Sequence, residues 1–499
     1  VYLATPITAL VKFGLMVNRT SYMQPLAQML ESTYADPYDI QKKLYGIENY
    51  IKNANLDRQN LLETEAKLVE EDKLSALAEE ITAQTETQED EVGEITGAAA
   101  DIDELEIIQK PELTPDILLE DFKPQSPIVD SMRTALFDNP EIDKSIWNEL
   151  SIWNRSFAKR IKTSSVAIVP ERDEYKFRYI LQKDKNAPLI ILYPSIGEGY
   201  NTHHSTVFAK MFFDEGYSIV MLGSHFHWEF VRSMPEGYCP GIPSQDADNI
   251  KLVTHKILDK LENKYECKFD EKIIIGTSFG ALSSLFVAEK ESKNNTLGIT
   301  KYIAISPPVE LVYAVEQLDK NSDELDNNSP EVKHKTAVTA AKILQITKMK
   351  ENNPDMNISA LPFTEQEGKL ITTFLLRQKL SDLIFTIENI AKGQKTDIYE
   401  AINNMSYRDY VEKYLLNGSS LENMRYETSL YSLADYLVNN DNYRIYHSPD
   451  DFFATEGQIK RLKTLAGKHL VCVSNGSHLG FLYRKEFQEA LKADVLGKI

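Results

Sequence analysis

The strongest constraint on the fold of this chain is the stretch KIIIGTSFGA at positions 272–281. Its consecutive isoleucines predict a short buried strand, and the residues that follow predict a helix. A serine in G-x-S-x-G between a strand and a helix lies on a sharp turn that pushes its hydroxyl out of the sheet. The residues two before and two after it must be small, because a Cβ there would collide across the turn, and Gly276 and Gly280 meet this need. The pattern predicts that Ser278 is a nucleophile; the alternative is a glycine-rich turn with an incidental serine.

Apolar runs and helical patterns alternate over the second half of the chain. Strands are predicted at 166–170, 175–182, 189–193, 218–222, 273–275, 302–305, 443–446 and 470–473. Helices are predicted at 204–215, 246–264, 281–290, 458–465 and 485–491. This alternation predicts an α/β fold with a mostly parallel, doubly wound sheet that has helices on both faces. Ligands of such sheets bind at the carboxyl ends of the strands.

One region interrupts the alternation. Residues 309–442 are helix-like with few strand signals, and helical apolar spacing occurs at 333–347, 369–392 and 407–416. We interpret this region as a helical cap inserted between two parts of the core, residues 125–308 and 443–499. The alternative is a helical side domain that does not contact the site.

The N-terminal region, residues 1–124, has a different composition from the rest of the chain. Residues 1–60 look helical, whereas residues 61–123 carry 20 Asp and Glu against 4 Lys. Such an acidic segment is typical of a linker, either a solvated spacer or a tail that makes a weak contact with a protein or a membrane. A helix at 146–157, with Trp147 and Trp153, precedes the first strand. The formal net charge of −20 argues against a nucleic-acid partner.

The sequence fits more than one cellular compartment. No run reaches the roughly 20 apolar residues that span a bilayer. The apolar start at residues 1–17 fits either the remnant of an export segment or an ordinary amphipathic helix, so both the cytoplasm and the periplasm or cell envelope remain open. Three cysteines form no metal-binding spacing, and Cys472 lies in an apolar run that predicts a buried thiol.

A nucleophilic serine needs a base and a carboxylate that orients the base. His478 follows the last predicted strand, at the end of the sheet where ligands bind, and we predict that it is the base. Asp451 follows the preceding strand in HSPDDFF and is the predicted acid. Asp450 is the alternative acid, and Glu310 is a third candidate.

In these features the chain resembles the α/β-hydrolase superfamily of serine esterases, lipases and peptidases. The order Ser278, Asp451, His478 is that superfamily's order of nucleophile, acid and base. The resemblance extends from about residue 166 to the end of the chain and includes a cap inserted between the sixth and seventh strands. It does not explain residues 1–124.

The resemblance also implies an oxyanion hole. One donor would be the backbone N–H of Phe279, which follows the nucleophile at the N-terminus of a helix. The superfamily usually has His-Gly or a similar turn after its third strand, whereas this chain has Pro194 and Ser195. We predict that the N–H of Ile196 is the second donor.

A histidine-rich segment, SHFHWE at 224–229, and the pair His203 and His204 are candidate metal ligands. An H-x-H with a nearby acid can bind zinc, but no third ligand has a recognisable spacing. Lining of the substrate pocket or packing of loops is the preferred interpretation, and we predict neither a metal nor another cofactor.

Together these features predict a serine hydrolase that forms an acyl-enzyme and cleaves a carboxylic ester. A cap rich in Leu, Phe and Tyr favours an apolar small-molecule or lipid-like substrate. Amide, peptide or thioester hydrolysis and acyl transfer would use the same three side chains. The alternative from another class is a non-catalytic binding or scaffold protein that retains the fold.

Overall fold

The structure is a computed structural model that describes residues 113–136, 157–323, 360–388, 401–402, 404–416 and 418–497, together with positions 335, 339 and 342. Its centre is one eight-stranded sheet. The strands are β1 (Lys162–Val166), β2 (Tyr175–Ile180), β3 (Leu189–Tyr193), β4 (Ser218–Met221), β5 (Lys272–Thr277), β6 (Lys301–Ile305), β7 (Tyr443–His447) and β8 (Leu470–Cys472).

The order of the strands across the sheet is β1-β2-β4-β3-β5-β6-β7-β8. Only β2 runs against its neighbours, so β3 to β8 form a parallel sheet. Successive isoleucines of β5 alternate between the two faces, with Ile274 in one core and Ile273 and Ile275 in the other. The predicted mostly parallel, doubly wound sheet is therefore confirmed.

Helices cover both faces of the sheet. In chain order they are α1 (Pro127–Met132), α2 (Phe157–Arg160), α3 (His203–Asp214), α4 (Trp228–Ser233), α5 (Pro243–Tyr265), α6 (Phe279–Lys293), α7 (Leu311–Asp323), α8 (Glu365–Ile387), α9 (Tyr407–Tyr410), α10 (Leu421–Glu427), α11 (Ala434–Asn439), α12 (Glu456–Ala466) and α13 (Lys485–Val495). The core with Ile274 also contains residues of α5 and α6, and the core with Ile273 and Ile275 contains residues of α3 and α13. Apolar side chains thus fill both sides of the central strands, as parallel sheets require.

The first strand lies earlier than the sequence pattern predicts. The apolar run at 166–170 predicted a strand, but β1 ends at Val166 and the following residues form a turn. Four of the five residues of β1 are polar and only Val166 is buried, as expected of an edge strand, and this leaves little periodic signal. Ile168 lies in this turn and is buried. The apolar run at 166–170 therefore corresponds to a packed loop and not to a strand.

The described residues between β6 and β7 form helices joined by turns, with one isolated antiparallel bridge between Glu310 and Ser429. The helix predicted at 369–392 is α8, which begins four residues earlier and ends at Ile387. The helix predicted at 407–416 consists of α9 and a short π-helix, Val411–Leu415. Most of the prediction at 333–347 lies outside the described residues. Helix α8 packs against α1, α4 and α7.

Residues 113–123, which the sequence pattern placed in the acidic N-terminal region, lie along the last strand of the sheet. Ile117 forms a parallel bridge with Val473, and its carbonyl accepts a hydrogen bond from the N–H of Ser474 at 2.9 Å. The N–H of Cys472 donates to the carboxylate of Asp116 at 2.7 Å. This segment therefore continues the sheet beyond β8, whereas residues 1–112 lie outside the described part of the chain, as do Trp147 and Trp153.

None of the helices in the described ranges has the length and apolar character needed to span a bilayer. The three cysteines are free thiols, and Cys472 is fully buried, as predicted. Burial raises the pKa of this thiol to about 11, so it is an inert core side chain at neutral pH.

Candidate active site

Ser278 lies on the turn between β5 and α6 with backbone angles of φ 52° and ψ −120°. An L-residue rarely adopts a positive φ, and the surrounding contacts must hold it there. The N–H of Ser278 donates to the carbonyl of Ile305 at 2.8 Å, which fixes the turn to the end of β6. The side chain is directed to the carboxyl ends of the parallel strands, where ligands bind in such sheets.

The two glycines of the turn have no room for a side chain. A Cβ at Gly276 would lie 2.5 Å from the carbonyl oxygen of Gly280 and 2.7 Å from the backbone nitrogen of Ala281. A Cβ at Gly280 would lie 2.5 Å from the carbonyl oxygen of Tyr193, at the end of β3. The partners are main-chain atoms, so no rotamer change can relieve either collision.

The structure brings together the predicted nucleophile, base and acid, although they are far apart in the chain. Nε2 of His478 lies 2.8 Å from Oγ of Ser278. Nδ1 of His478 lies 2.9 Å from Oδ2 and 3.2 Å from Oδ1 of Asp451. A carboxylate only accepts hydrogen bonds, so Nδ1 carries the proton and Nε2 is free to accept from the Ser278 hydroxyl. The three residues are buried, with 6%, 8% and 4% of Ser278, His478 and Asp451 exposed.

The electrostatics around Asp451 favour its ionised form. Burial by itself raises the pKa of this carboxyl, but the adjacent His478 ring, His447 and the N–H of Phe453 outweigh burial and lower the pKa below its ordinary value. The Phe453 N–H donates to Oδ1 of Asp451 at 2.8 Å. Asp451 is therefore an anion at neutral pH that can hold a neighbouring imidazole and stabilise its protonated form.

The alternative acids face other partners. The carboxylate of Asp450 accepts hydrogen bonds from the Ser448 hydroxyl and, at 2.9 Å, from the N–H of Ser477. Burial raises the pKa of Asp450, in contrast to its neighbour Asp451. Glu310 lies 3.7 Å from the guanidinium of Arg425 in the inserted helical region. Of the three candidate carboxylates, Asp451 is the one whose oxygens lie within hydrogen-bond distance of the His478 ring.

Several groups next to the predicted base and acid were not singled out from the sequence. The rings of Phe453 and Phe452 lie 4.6 and 6.0 Å from the His478 ring, both edge-on. The buried ring of His447 lies 3.8 Å from Oδ2 of Asp451, and its Nε2 lies 3.1 Å from the carbonyl oxygen of Pro307. All three residues belong to HSPDDFF, so their proximity to the predicted acid in the chain was a usable signal.

Two backbone segments next to Ser278 carry the predicted oxyanion donors. Phe279 is the first residue of α6, so its N–H has no acceptor within the helix. The turn after β3, which contains Ile196, lies beside the elbow because Gly280 packs on Tyr193 and Pro194. Oγ of Ser195 lies 3.2 Å from Oγ1 of Thr277, which joins the same two segments.

The histidine-rich segment serves packing in this structure. The ring of His225 stacks on the ring of Phe279 with 4.6 Å between centroids, and Nε2 of His225 lies 3.5 Å from the buried carboxylate of Asp246. Nδ1 of His227 accepts from the N–H of Glu229 at 3.3 Å and caps α4. Within the described ranges, no group of three or more His, Cys, Asp or Glu side chains has an arrangement that could hold a metal ion.

The topology and the elbow together decide the fold. A mostly parallel eight-stranded sheet has a serine at positive φ between β5 and α6, a helical insertion after β6, an Asp after β7 and a His after β8. The chain has the α/β-hydrolase fold. The predicted fold family is therefore confirmed, and the first candidate nucleophile, acid and base occupy one cluster in it.

Among the similar solved structures are three hydrolases. An esterase of Pyrococcus furiosus is 12% identical with a TM-score of 0.37, over 67% of this chain and 88% of its own. A serine hydrolase of Cycloclasticus zankles is 14% identical with a TM-score of 0.38, over 68% and 99% of the two chains. Naproxen esterase of Bacillus subtilis is 12% identical with a TM-score of 0.33, over 68% and 91%.

No family model and no curated protein matches the chain. Because the likeness to the solved structures is this low, those structures do not identify a substrate or a catalytic residue for this chain. The assignment of the site depends on the distances and charges within the chain itself.

Proposed function

We propose that this α/β-hydrolase is a serine hydrolase that cleaves a carboxylic ester through an acyl-enzyme. The observation that carries the proposal is the continuous hydrogen-bonded chain from Oγ of Ser278 through His478 to Asp451, at 2.8 and 2.9 Å. These distances are those at which a base removes the proton of a nucleophile. A non-catalytic binding or scaffold protein has no need to hold a serine, a histidine and an aspartate from three separate loops in hydrogen-bond contact.

In the first half of the reaction, Oγ of Ser278 attacks the ester carbonyl carbon while Nε2 of His478 takes its proton. The electron pair of the C=O bond moves to oxygen, and the N–H groups of Phe279 and Ile196 hold the resulting oxyanion. When that pair returns, the bond to the alkoxy group breaks and the imidazolium of His478 donates its proton to the leaving alcohol. Asp451 stabilises the imidazolium while it exists.

In the second half, a water molecule gives its proton to Nε2 of His478 and attacks the acyl carbon of the acyl-enzyme. The same oxyanion donors act again. Collapse of the intermediate breaks the bond to Oγ of Ser278, which recovers its proton from His478, and the carboxylic acid leaves. The cycle needs no cofactor, because the chain supplies nucleophile, base and oxyanion donors.

The inserted helices support an apolar substrate. Helix α8 runs from α1 to the oxyanion turn: Gly368 packs on Ile128, and the stem of Lys379 packs on Gly197. These two positions are 11 residues apart, or about 16 Å along a helix. Between them, Ile371 and Leu375 belong to an apolar cluster that also includes Phe452, beside the His478 ring. We propose that this helix caps the site and contacts an apolar acyl or alcohol group.

The proposal is tested with a fluorophosphonate probe and p-nitrophenyl esters of increasing acyl length. The wild-type protein is compared with Ser278→Ala and with Ser292→Ala, which removes an exposed hydroxyl near the end of α6. We expect labelling and turnover in the wild type and in Ser292→Ala, and neither in Ser278→Ala. An optimum at longer acyl chains would support the apolar cap.

Other results would change the assignment. Labelling with hydrolysis of amide or thioester analogues, and none of esters, would move the assignment to those bonds. An ester product that forms when an alcohol is added would indicate acyl transfer. A folded wild-type protein that neither labels nor turns over any of these substrates would refute the enzymatic proposal in favour of a binding protein.

A further inference from the structure

The loop that carries His478 has an unusual backbone. Gly476, Ser477 and Leu479 have φ angles of 109°, 48° and 66°, so both neighbours of the base are non-glycine residues in the left-handed region. Leucine rarely adopts this conformation, because its Cβ crowds the backbone. A loop of this kind keeps its shape only when neighbouring groups hold it, and its shape determines where the imidazole is directed.

One of those neighbours is Ser131, which lies about 350 residues earlier in the chain, at the end of α1. The backbone N–H of His478 donates to Oγ of Ser131 at 3.0 Å. The same oxygen lies 3.1 Å from Oγ of Ser477 and 2.9 Å from the carbonyl oxygen of Pro127. Ser131 is therefore bonded to two successive residues of the loop, one of them the proposed base.

Backbone packing brings α1 against the same loop. A Cβ at Gly480 would collide with the carbonyl group of Asp130 and lie 2.7 Å from its carbon. From the segment after β7, Asp450 accepts from the N–H of Ser477 at 2.9 Å. The loop is thus held both by the segment after β7 and by helix α1.

Helix α1 is itself rigidly attached. The carboxylate of Asp130 and the guanidinium of Arg133 form a fully buried ion pair at 2.8 Å. Nη2 of Arg133 also donates to the carbonyl of Lys123 at 2.8 Å and to the side chain of Gln125 at 3.0 Å. The N–H of Gln125 donates to the other oxygen of Asp130 at 2.8 Å. Asp130 and Arg133 thus close the turn that precedes α1, and Ser131 lies between them in the sequence.

Upstream, the chain is fixed to β8 and to the start of the same loop. The N–H of Leu119 donates to Oγ of Ser474 at 3.1 Å, and Ile117 forms its parallel bridge with Val473. Residues 116–133 therefore follow the strand and the loop that lead to the base. This segment precedes β1, the first strand of the sheet, and is held by the loop at the other end of the chain.

We infer that Ser131 is a positioning residue for His478, through which the segment before β1 sets the direction of the base. The inference rests on the proposed function, because it concerns the geometry of that base. Without Oγ of Ser131, the N–H of His478 loses its acceptor and the left-handed residues beside it lose one of their restraints. A displacement of about 1 Å at a reacting group costs up to about a hundredfold in rate.

The test compares Ser131→Ala, Ser131→Thr and Ser126→Ala with the wild type. Ser126→Ala is the matched control, because it removes a hydroxyl one turn earlier that has no hydrogen-bond partner among the described residues. In Ser131→Ala we expect kcat for a p-nitrophenyl ester to fall about ten- to a hundredfold, with KM within about twofold of the wild type. The hydroxyl of Ser131→Thr should restore most of kcat, and Ser126→Ala should match the wild type.

A readout that does not need turnover separates this inference from the proposed function. With ¹⁵N-labelled histidine, the ring signals of His478 are assigned by their loss in His478→Gln. We expect these signals to shift in Ser131→Ala and to stay unchanged in Ser126→Ala. Unchanged His478 signals, or a wild-type kcat in Ser131→Ala, would overturn the inference even in an active enzyme. The His478 signals could also differ between Ser131→Ala and a wild-type protein that does not label with fluorophosphonate. That result would support the positioning contact and refute only the hydrolase proposal.

Discussion

The close approach of Gly280 to the end of β3 makes Gly280→Ala the sharpest test of the elbow. The added Cβ would lie 2.5 Å from the carbonyl oxygen and 2.8 Å from the carbonyl carbon of Tyr193, whereas real Cβ atoms keep at least 3.0 Å from other heavy atoms. The elbow and the end of β3 must separate by about half an ångström. Both are main-chain segments of central, fully buried elements, so the strain cannot be confined to a side chain.

The expected losses of stability and of kcat in Gly280→Ala follow from this collision. Overpacking of a core by side-chain atoms costs about 1–3 kcal/mol, and a collision with main chain belongs at the upper end, about 3 kcal/mol. With an unfolding entropy of about 2.1 cal/mol/K per residue, this lowers the melting temperature of a domain of this size by about 4 °C. The turn that contains Ile196 follows Tyr193 directly, so it moves as well. If one oxyanion donor is lost, kcat falls by a further factor of about 10²–10³.

The assay is thermal unfolding followed by circular dichroism, with ester turnover measured per folded molecule. Gly457→Ala in α12 is the control, because the nearest atom to its added Cβ is Oγ1 of Thr455 at 3.9 Å. This control should be neutral or more stable by about 0.4–1 kcal/mol. The argument from close approach would be refuted if Gly280→Ala unfolded at the wild-type temperature and retained wild-type kcat.

Two further pairs of variants test the site and the fold. Asp451→Asn should lower kcat by about 10⁴, whereas Asp450→Asn, which still accepts from the loop, should stay within about tenfold. Because the pKa of Asp451 is lowered by folding, its carboxylate stabilises the protein above about pH 4, the ordinary range for Asp, and this stability is lost as the pH falls below that. Acid titrations should therefore show a weaker loss of stability below pH 4 in Asp451→Asn. Arg444→Met removes two hydrogen bonds of the buried Asp494, at 2.9 and 3.0 Å, but leaves it the Tyr446 hydroxyl and Lys301 at 3.7 Å, so it should cost about 1.5–3 kcal/mol in urea unfolding. The exposed Lys485→Met should change stability by less than about 0.5 kcal/mol, and an equal loss in both would contradict the burial argument.

The sequence predicted the inner strands well because their environment leaves a local signal. Strands β3, β5 and β6 are buried on both faces, so they contain continuous apolar runs of Ile, Leu, Tyr and Ala. The elbow also leaves a local signal, since its steric requirement falls on two glycines within five residues. Where a structural constraint acts between residues that are close in the chain, composition and spacing were sufficient to predict the local structure.

The segment before β1 shows where such reasoning stops. Its acidic composition is typical of a linker, yet Asp116 accepts from the N–H of Cys472, 356 residues away, and Asp130 is buried against Arg133. The partner of Asp116 is one that spacing in the chain does not reveal, and the full burial of the Asp130–Arg133 pair, although its spacing is helical, is not visible in the composition. The structure places residues 113–123 against β8 and the loop of the proposed base, where the sequence pattern predicted an acidic spacer.

The choice between Asp450 and Asp451 has the same physical origin. The two carboxyls are adjacent, Asp451 fully buried and Asp450 partly buried, yet folding moves their pKa values in opposite directions. Asp451 faces the His478 ring and an N–H donor, which favour its charge, whereas at Asp450 burial outweighs the hydrogen bonds from the Ser448 hydroxyl and the N–H of Ser477. The two residues lie at a turn, where neighbouring side chains reach different partners, and the order of residues made Asp451 the predicted acid while Asp450 stayed the alternative. The loop after β8 places the His478 ring beside Asp451, and that loop is itself held by Asp450 and Ser131; Asp450 is therefore a support for the proposed base rather than a second proposed acid.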